Sequence, residues 1–375
     1  MQSDKDVFEI HSRKHGKVGT EVKVPVTPET LPLVYTPGVA RVSEAIAHDP
    51  ALAYEYTGKG NTVAVISDGS AVLGLGNIGP LGALPVMEGK CAIFKQLAGI
   101  DAVPVCLDTQ DTEEIIKTIK HVAPVYGAIN LEDISAPRCF EIEARLRAEL
   151  PIPVMHDDQH GTAIVALAGL LNALKLRELA LSDAKIVVSG AGAAGMAIVD
   201  MLAHADATHI TVCDSHGVIS STRTDLTEEK KNMLARIGDA PAGDLATALR
   251  GAHVFIGVSK GNTLTKEMVQ SMSERPIIFA LANPTPEIDP ALAKEAGAFI
   301  VATGRSDFPN QINNALAYPH LFKGALMHRI KQFNDRHFVD AAHAIASIVQ
   351  NPNPEQIIPT VFDPKLGEVI VAVFK

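Results

Sequence analysis

The chain of 375 residues has no tryptophan, only four cysteines, no run of basic residues and no apolar stretch long enough to cross a bilayer. Each absence narrows what the protein does. With a formal net charge of −10 and no basic run, nucleic acid and anionic membrane surfaces are poor partners. The most apolar stretch, 162–176, contains Asn172 and falls short of the roughly 20 residues that span a bilayer, so it reads as a buried helix. The first residues, Met-Gln-Ser-Asp-Lys-Asp, are polar and hold no signal-peptide core. Cys91, Cys106, Cys139 and Cys213 show neither metal-type nor CxxC spacing, and a chain this long needs no disulfide staples. Reduced thiols in a cytoplasmic protein are expected.

What is present is an ordinary globular composition, 47% apolar and 20% charged, in a chain longer than one core usually supports. Two domains follow as the expectation. After a polar stretch of about 35 residues and a short helix at 39–48, strand-like runs at 62–66, 92–94, 102–107, 125–129 and 152–155 alternate with helical ones at 112–121 and 137–150. The alternation restarts after a long helix at 161–177, with strands at 185–189, 209–213, 254–257, 277–280 and 299–302. Such alternation specifies an α/β fold of two α/β domains, the second a Rossmann-type doubly wound parallel sheet, with a boundary near 157–162.

Two adjacent carboxylate pairs, Glu132 with Asp133 and Asp157 with Asp158, stand near the ends of short apolar strands. Bringing four carboxylates together is costly unless a cation sits among them, and oxygen ligands favour Mg²⁺ or Mn²⁺ over zinc. His156 and His160 flank the second pair without changing that preference. Gly190-Ala191-Gly192-Ala193-Ala194-Gly195 follows a strand and opens a helix, and Asp214 ends the next strand 24 residues after the first glycine. Strand, glycines, helix and acid together point to a dinucleotide. Gly74-Leu-Gly76-Asn-Ile-Gly79 matches the same pattern, but prolines break its continuation and no acid follows at the right distance; it reads as a packed Gly-rich turn near the active-site floor.

Lys90 stands just before the apolar run at 92–94, where partial desolvation would lower its pKa toward base duty. Most lysines are simply solvated, and a tyrosine such as Tyr35 usually serves packing. Asn283 follows a strand at the sheet end where ligands bind, and Asn313-Asn314 is either a helix start or a pair of amides for a carboxylate or ribose.

Tyr35-Thr-Pro-Gly-Val, Ser67-Asp-Gly-Ser with Leu73-Gly-Leu-Gly, Gly89-Lys90 with Ala98-Gly-Ile, Asn130-Leu-Glu-Asp, His156-Asp-Asp-Gln-His-Gly-Thr, the Gly190 fingerprint, Asn283-Pro-Thr-Pro-Glu and Asn313-Asn314 come in one order and spacing. Over essentially its whole length the chain resembles the malic enzymes in their short bacterial form. The resemblance implies oxidative decarboxylation of L-malate to pyruvate and CO₂ with NAD, or NADP, and a divalent cation. It casts Lys90 as general base and substrate contact, Asp157 as its electrostatic support, and Tyr35 as the acid that protonates the enolate carbon. Glu132, Asp133 and Asp158 become metal ligands, Asn314 a substrate contact and Asn283 a cofactor contact.

The resemblance divides the chain into a catalytic domain at 1–158, a nucleotide-binding domain at 159–313 and a C-terminal segment at 314–375 that packs back on the first; it implies a dimer or tetramer, of which an N-terminal arm and a Pro-rich tail fit a homodimer. Ser70 and Ala71 stand where larger members carry a carboxylate-clamping arginine, so malate anchoring must differ here. The chain ends at Lys375, so no acetyltransferase-like extension is expected to regulate it. A dehydrogenase of another small hydroxy or amino acid is the competing reading, and the acid cluster argues against it because such reactions need no divalent cation. Asp214 favours NAD unless a cation such as His216, Arg223, Lys230 or Lys231 offsets it.

Overall fold

A computed structural model describes residues 4–12, 16–72 and 74–375; Leu73 lies outside the described residues. Two sheets form the frame. The first holds β1 (Thr62–Ser67), β2 (Asp101–Cys106), β3 (Ala128–Leu131) and β4 (Val154–His156) in the order β2-β1-β3-β4, every pairing parallel. Val63 to Ile66 are fully buried, as a strand covered on both faces must be.

The second sheet holds β5 (Lys185–Ser189), β6 (His209–Asp214), β7 (Gly217–Val218), β8 (Val254–Gly257), β9 (Ile277–Ala280) and β10 (Ile300–Thr303) in the order β10-β9-β8-β5-β6-β7. All its pairings are parallel except β6 with β7. This is the doubly wound arrangement, with β5 at the point where strand order reverses.

Between the sheets runs the helix Asp157–Arg177, rich in alanine and leucine and buried along most of its length. One continuous apolar core passes from β1 and β3 through this helix to β5, β8 and β9. The helix Tyr318–Met327 returns to the first unit, where Tyr318 and Phe322 meet Phe94 edge to face. The helix Asp335–Ile348 covers Asp157–Arg177, and Asn172 inside that helix donates to the carbonyls of Ala346 and Ile357.

One expected element is absent. The run 92–94 is no strand but part of a 20-residue helix, Gly79–Ala98, that contains Pro80 in its first turn and Pro85 inside. Pro80 costs nothing there, because first-turn N–H groups have no helical partner. A three-residue apolar run cannot be told from a stretch of buried helix by periodicity alone. Two further strands lie a little later than expected, since Ala123–Val125 is a 3₁₀ turn ahead of β3 and β4 ends at His156.

Candidate active site and metal centre

Strands β3 and β4 of the first sheet and β5, β8, β9 and β10 of the second end around one cavity of about 790 Å³. Glu132 and Asp133 follow β3, Asp158 follows β4, Ser259 follows β8 and Asn283 follows β9, and all of them line it. Parallel strands present their C-terminal ends to ligands, so two sheets facing one cleft bring an acid cluster and a nucleotide cradle together. Gly74 of the second Gly-rich segment lies in the wall, where a Cβ would come within 2.6 Å of Pro284.

Lys90 reaches this cavity from the helix Gly79–Ala98, not from a strand mouth. Its ammonium donates to Glu132 Oε1 and Asp157 Oδ2 and lies 4.3 Å from the centre of the Tyr318 ring. Burial lowers the Lys90 pKa, but Asp157 and Glu132 outweigh it and hold the amine well above its usual value. The lowering expected from desolvation alone is therefore reversed while both carboxylates are charged. Asn314 Nδ2 also donates to Asp157 Oδ2. Of the asparagine pair, Asn313 caps the short 3₁₀ turn Asn314–Leu316 while Asn314 faces the acid cluster.

Glu132, Asp133 and Asp158 each offer an oxygen within 4.8 Å of the others, the one such cluster among the described residues. Burial raises the Asp133 pKa to about 7, with the Asp158 charge adding to it, and burial also lifts Glu132 well above the carboxylate range. Asp133 Oδ2, Asp157 Oδ1 and Asn130 Oδ1 are buried without a hydrogen-bond partner. Asp133 holds φ = 53°, an uncommon backbone state for a residue with a side chain and one that clusters at functional sites. Four crowded carboxylates sharing one lysine, with orphaned oxygens among them, suit a hard divalent cation. His160 turns away from this trio and bonds Glu143 at 2.9 Å.

The cradle is built by glycines that do different things. Gly190 has φ = 119°, and a Cβ there would meet Val258 O at 2.9 Å. A Cβ on Gly195 would lie 1.8 Å from Gly190 O, whereas nothing stands within 4 Å of one on Gly192. The outer two are needed for packing; the middle one leaves open space before the N-terminus of the helix Ala193–His204, where a pyrophosphate is favoured. Ala191 and Ala194 complete the turn, and Ala194 lines the cavity.

Asp214 ends β6 as expected but is already partnered. Arg223 grips it with bonds of 2.7 and 3.0 Å, and Lys230 adds another at 2.7 Å. Burial raises its pKa, yet these cations outweigh that and hold the carboxyl well below the usual range. Lys231 turns to Glu228 instead.

Tyr35 is not among the residues lining the cavity; it is 66% exposed at the end of the short helix Leu31–Val34. Two participants carried no sequence signal. Tyr318 opens the helix Tyr318–Met327, and its buried hydroxyl lacks a partner. Glu143, on the helix Arg138–Glu149, is buried against His156, Gln159 and His160. A second cavity of about 500 Å³ on the far side of this group, between Phe140 and Phe338, holds none of the expected catalytic or ligand residues.

Residues 15–147 match the malic enzyme N-terminal domain and residues 159–373 the malic enzyme NAD binding domain. The chain is 54% identical over 357 residues to an NAD-dependent malic enzyme of Geobacillus stearothermophilus, covering 94% of this chain and 74% of that one. It is 49% identical over 375 residues to a bifunctional malic/malolactic enzyme of Bacillus subtilis, covering 99% and 92%. The crystal structure of an NAD-dependent malic enzyme from Thermotoga maritima superposes with a TM-score of 0.95 at 52% identity, covering 98% of each chain. The chain belongs to the malic enzyme family.

Proposed function

We propose that this protein oxidises L-malate and decarboxylates the product to pyruvate and CO₂, as a cytoplasmic homodimer working with NAD and Mg²⁺ or Mn²⁺. One observation carries the reading: Lys90, the carboxylate trio and the nucleotide cradle open into a single cavity. Glu132, Asp133 and Asp158 would hold the cation, which would supply Lewis-acid stabilisation of negative charge on the substrate oxygens, and the glycine cradle would hold a nicotinamide cofactor, which would supply the hydride acceptor.

The chain's own groups handle the protons. Lys90 takes the proton of the C2 hydroxyl, a role that needs the amine neutral; any charge drawn off Glu132 loosens the hold that keeps it protonated. Asp157, fully buried, keeps Lys90 aimed and stabilises the ammonium once formed. Asn314 orients Asp157 and presents its amide to the substrate. Loss of CO₂ leaves an enolate, which Tyr35 protonates at carbon.

Tyr35 lies outside the cavity of its own chain, in an arm whose Val22, Val26, Leu33 and Tyr35 are all more than 60% exposed. An exposed apolar arm seeks a partner surface, and in the homodimer each arm carries its tyrosine to the other copy's site. Hybrid dimers of Tyr35→Phe and Lys90→Ala subunits hold one intact site of two and are therefore expected to regain up to about half of the wild-type dimer's activity, although each parent dimer is inactive. Parents that stay inactive after verified subunit exchange count against the arrangement.

For the nucleotide, Asp214 and Asp225 balance Arg223 and Lys230, so the ribose end of the cradle is close to neutral. The two ribose hydroxyls of NAD donate to Asp214 at no charge cost. A 2′-phosphate repels it, an effect on the order of 1 to 3 kcal/mol or roughly ten- to hundredfold without an offset. The two cations offset part of this, and we expect NAD to lead in kcat/KM by roughly tenfold, the low end of that range. Malate-dependent reduction of NAD and NADP, with Mn²⁺ and after chelation, tests the whole reading: no malate-dependent reduction of either nucleotide refutes it. Asp214→Ser releases Arg223 and Lys230 and is expected to move the preference toward NADP. An unchanged ratio in that variant overturns the role given to Asp214.

A further inference from the structure

Behind the acid trio lies a second layer of polar groups whose hydrogen bonds leave little freedom. His156 closes β4 and is fully buried, one residue ahead of Asp157. Its Nε2 lies 3.2 Å from Asp158 Oδ2, off the line of a good hydrogen bond, and also faces the Cys139 thiol. Its Nδ1 lies 3.0 Å from Gln159 Nε2, and that same amide atom is 3.1 Å from Glu143 Oε2. Glu143 in turn accepts the backbone N–H of His156 at 3.0 Å and a bond from the His160 ring, which stacks on Phe338.

Donor and acceptor rules settle the direction of this chain. Burial pushes the Glu143 pKa up, but His160 and its other neighbours outweigh burial and keep it below the usual value, so it is a carboxylate and only accepts. The Gln159 atom that touches it must then be the amide nitrogen, which donates. His156 Nδ1, facing the same nitrogen, is left to accept, so the ring proton sits on Nε2 and points toward Asp158.

The consequence falls on one oxygen. Asp158 Oδ2 lies against His156 Nε2 and also accepts the backbone N–H of Asp133 at 2.7 Å. Both contacts fall on Oδ2, which leaves Oδ1 as the oxygen free to bind. We propose that His156 and Gln159 are positioning residues for the metal centre: Gln159, anchored on Glu143, fixes the His156 tautomer, and His156 holds Asp158 so that it presents Oδ1 alone. This rests on the reading of Glu132, Asp133 and Asp158 as metal ligands. Partners of this kind behind a ligand typically change metal affinity by about 10- to 100-fold when removed.

The test is direct Mn²⁺ binding to the substrate-free enzyme by calorimetry, beside NADH binding by fluorescence and metal-free thermal unfolding. Asp158→Asn serves as the control for the site itself. His156→Leu and Gln159→Leu are each expected to raise the Mn²⁺ Kd by about tenfold or more, with NADH Kd within about twofold of wild type. His156→Gln, which returns an N–H near the Nε2 position, is expected to recover most of the loss. Should His156→Leu not fold, Gln159→Leu and Gln159→Glu give the same readout one bond further out. Mn²⁺ affinity within about twofold of wild type in the folded leucine variants overturns the proposal, as does a parallel loss of Mn²⁺ and NADH binding, which marks general loosening. Wild-type enzyme that binds no Mn²⁺, or binds it equally with Asp158→Asn, overturns the ligand assignment and this inference with it.

Discussion

Lys90→Ala is expected to cut malate oxidation by at least about 10²-fold, and by as much as 10⁴-fold, with NADH binding unchanged. The amine is the cavity's one cationic lining residue among the described residues, so no neighbouring base of the same kind stands ready to replace it. Its removal also leaves Glu132 and Asp157 buried without their shared partner. Breaking a buried ion pair costs about 3 to 5 kcal/mol when the remaining charge stays. Here burial already raises the pKa of both carboxyls, so proton uptake limits that cost. Parallel measurement of kcat, NADH Kd and metal-free unfolding separates lost chemistry from lost fold. A folded Lys90→Ala enzyme that keeps more than about a tenth of the wild-type kcat would remove Lys90 from the mechanism.

Asp158→Asn is expected to raise the Mn²⁺ concentration for half-maximal activity by at least about tenfold, or to abolish activity, because it removes one charge from a site of three carboxylates. Chelation of the wild type should do the same reversibly, with Mn²⁺ restoring the rate. The site's pH dependence follows from Asp133. Without a cation its pKa stands at about 7, raised chiefly by burial. Below that pH Asp133 carries a proton that a cation must displace, so its share of the affinity falls by up to about tenfold per pH unit as the pH drops. Mn²⁺ titrations from pH 6 to 8 show this directly. A midpoint unchanged by Asp158→Asn, or a Kd flat across that range, contradicts the assignment of these ligands.

The acid pairs and the glycine fingerprint were legible in the sequence because their chemistry is local. Adjacent carboxylates at a strand end and glycines between strand and helix each need only the few residues around them. The same holds for β5, β8 and β9, whose short apolar runs bounded by turn residues coincide with the observed strands. The helix through Lys90 was not legible, because three apolar residues fit either structure and two prolines argue against a helix.

What only the tertiary structure decided is how these pieces meet. No spacing in the chain shows that Lys90 bridges Glu132 and Asp157, 42 and 67 residues away, or that their charges reverse the effect of burial on its pKa. Glu143 reads as one more charge on a helix surface until the fold buries it against His156 and Gln159. Asp214 was visible as a strand-terminal acid, but its pairing with Arg223 and Lys230 arises where the chain folds back on itself. Residue type and local order determine which groups the protein has. The electrostatic state of each depends on neighbours a few ångströms away in space, and those are set by the packing of the two sheets around the helix Asp157–Arg177.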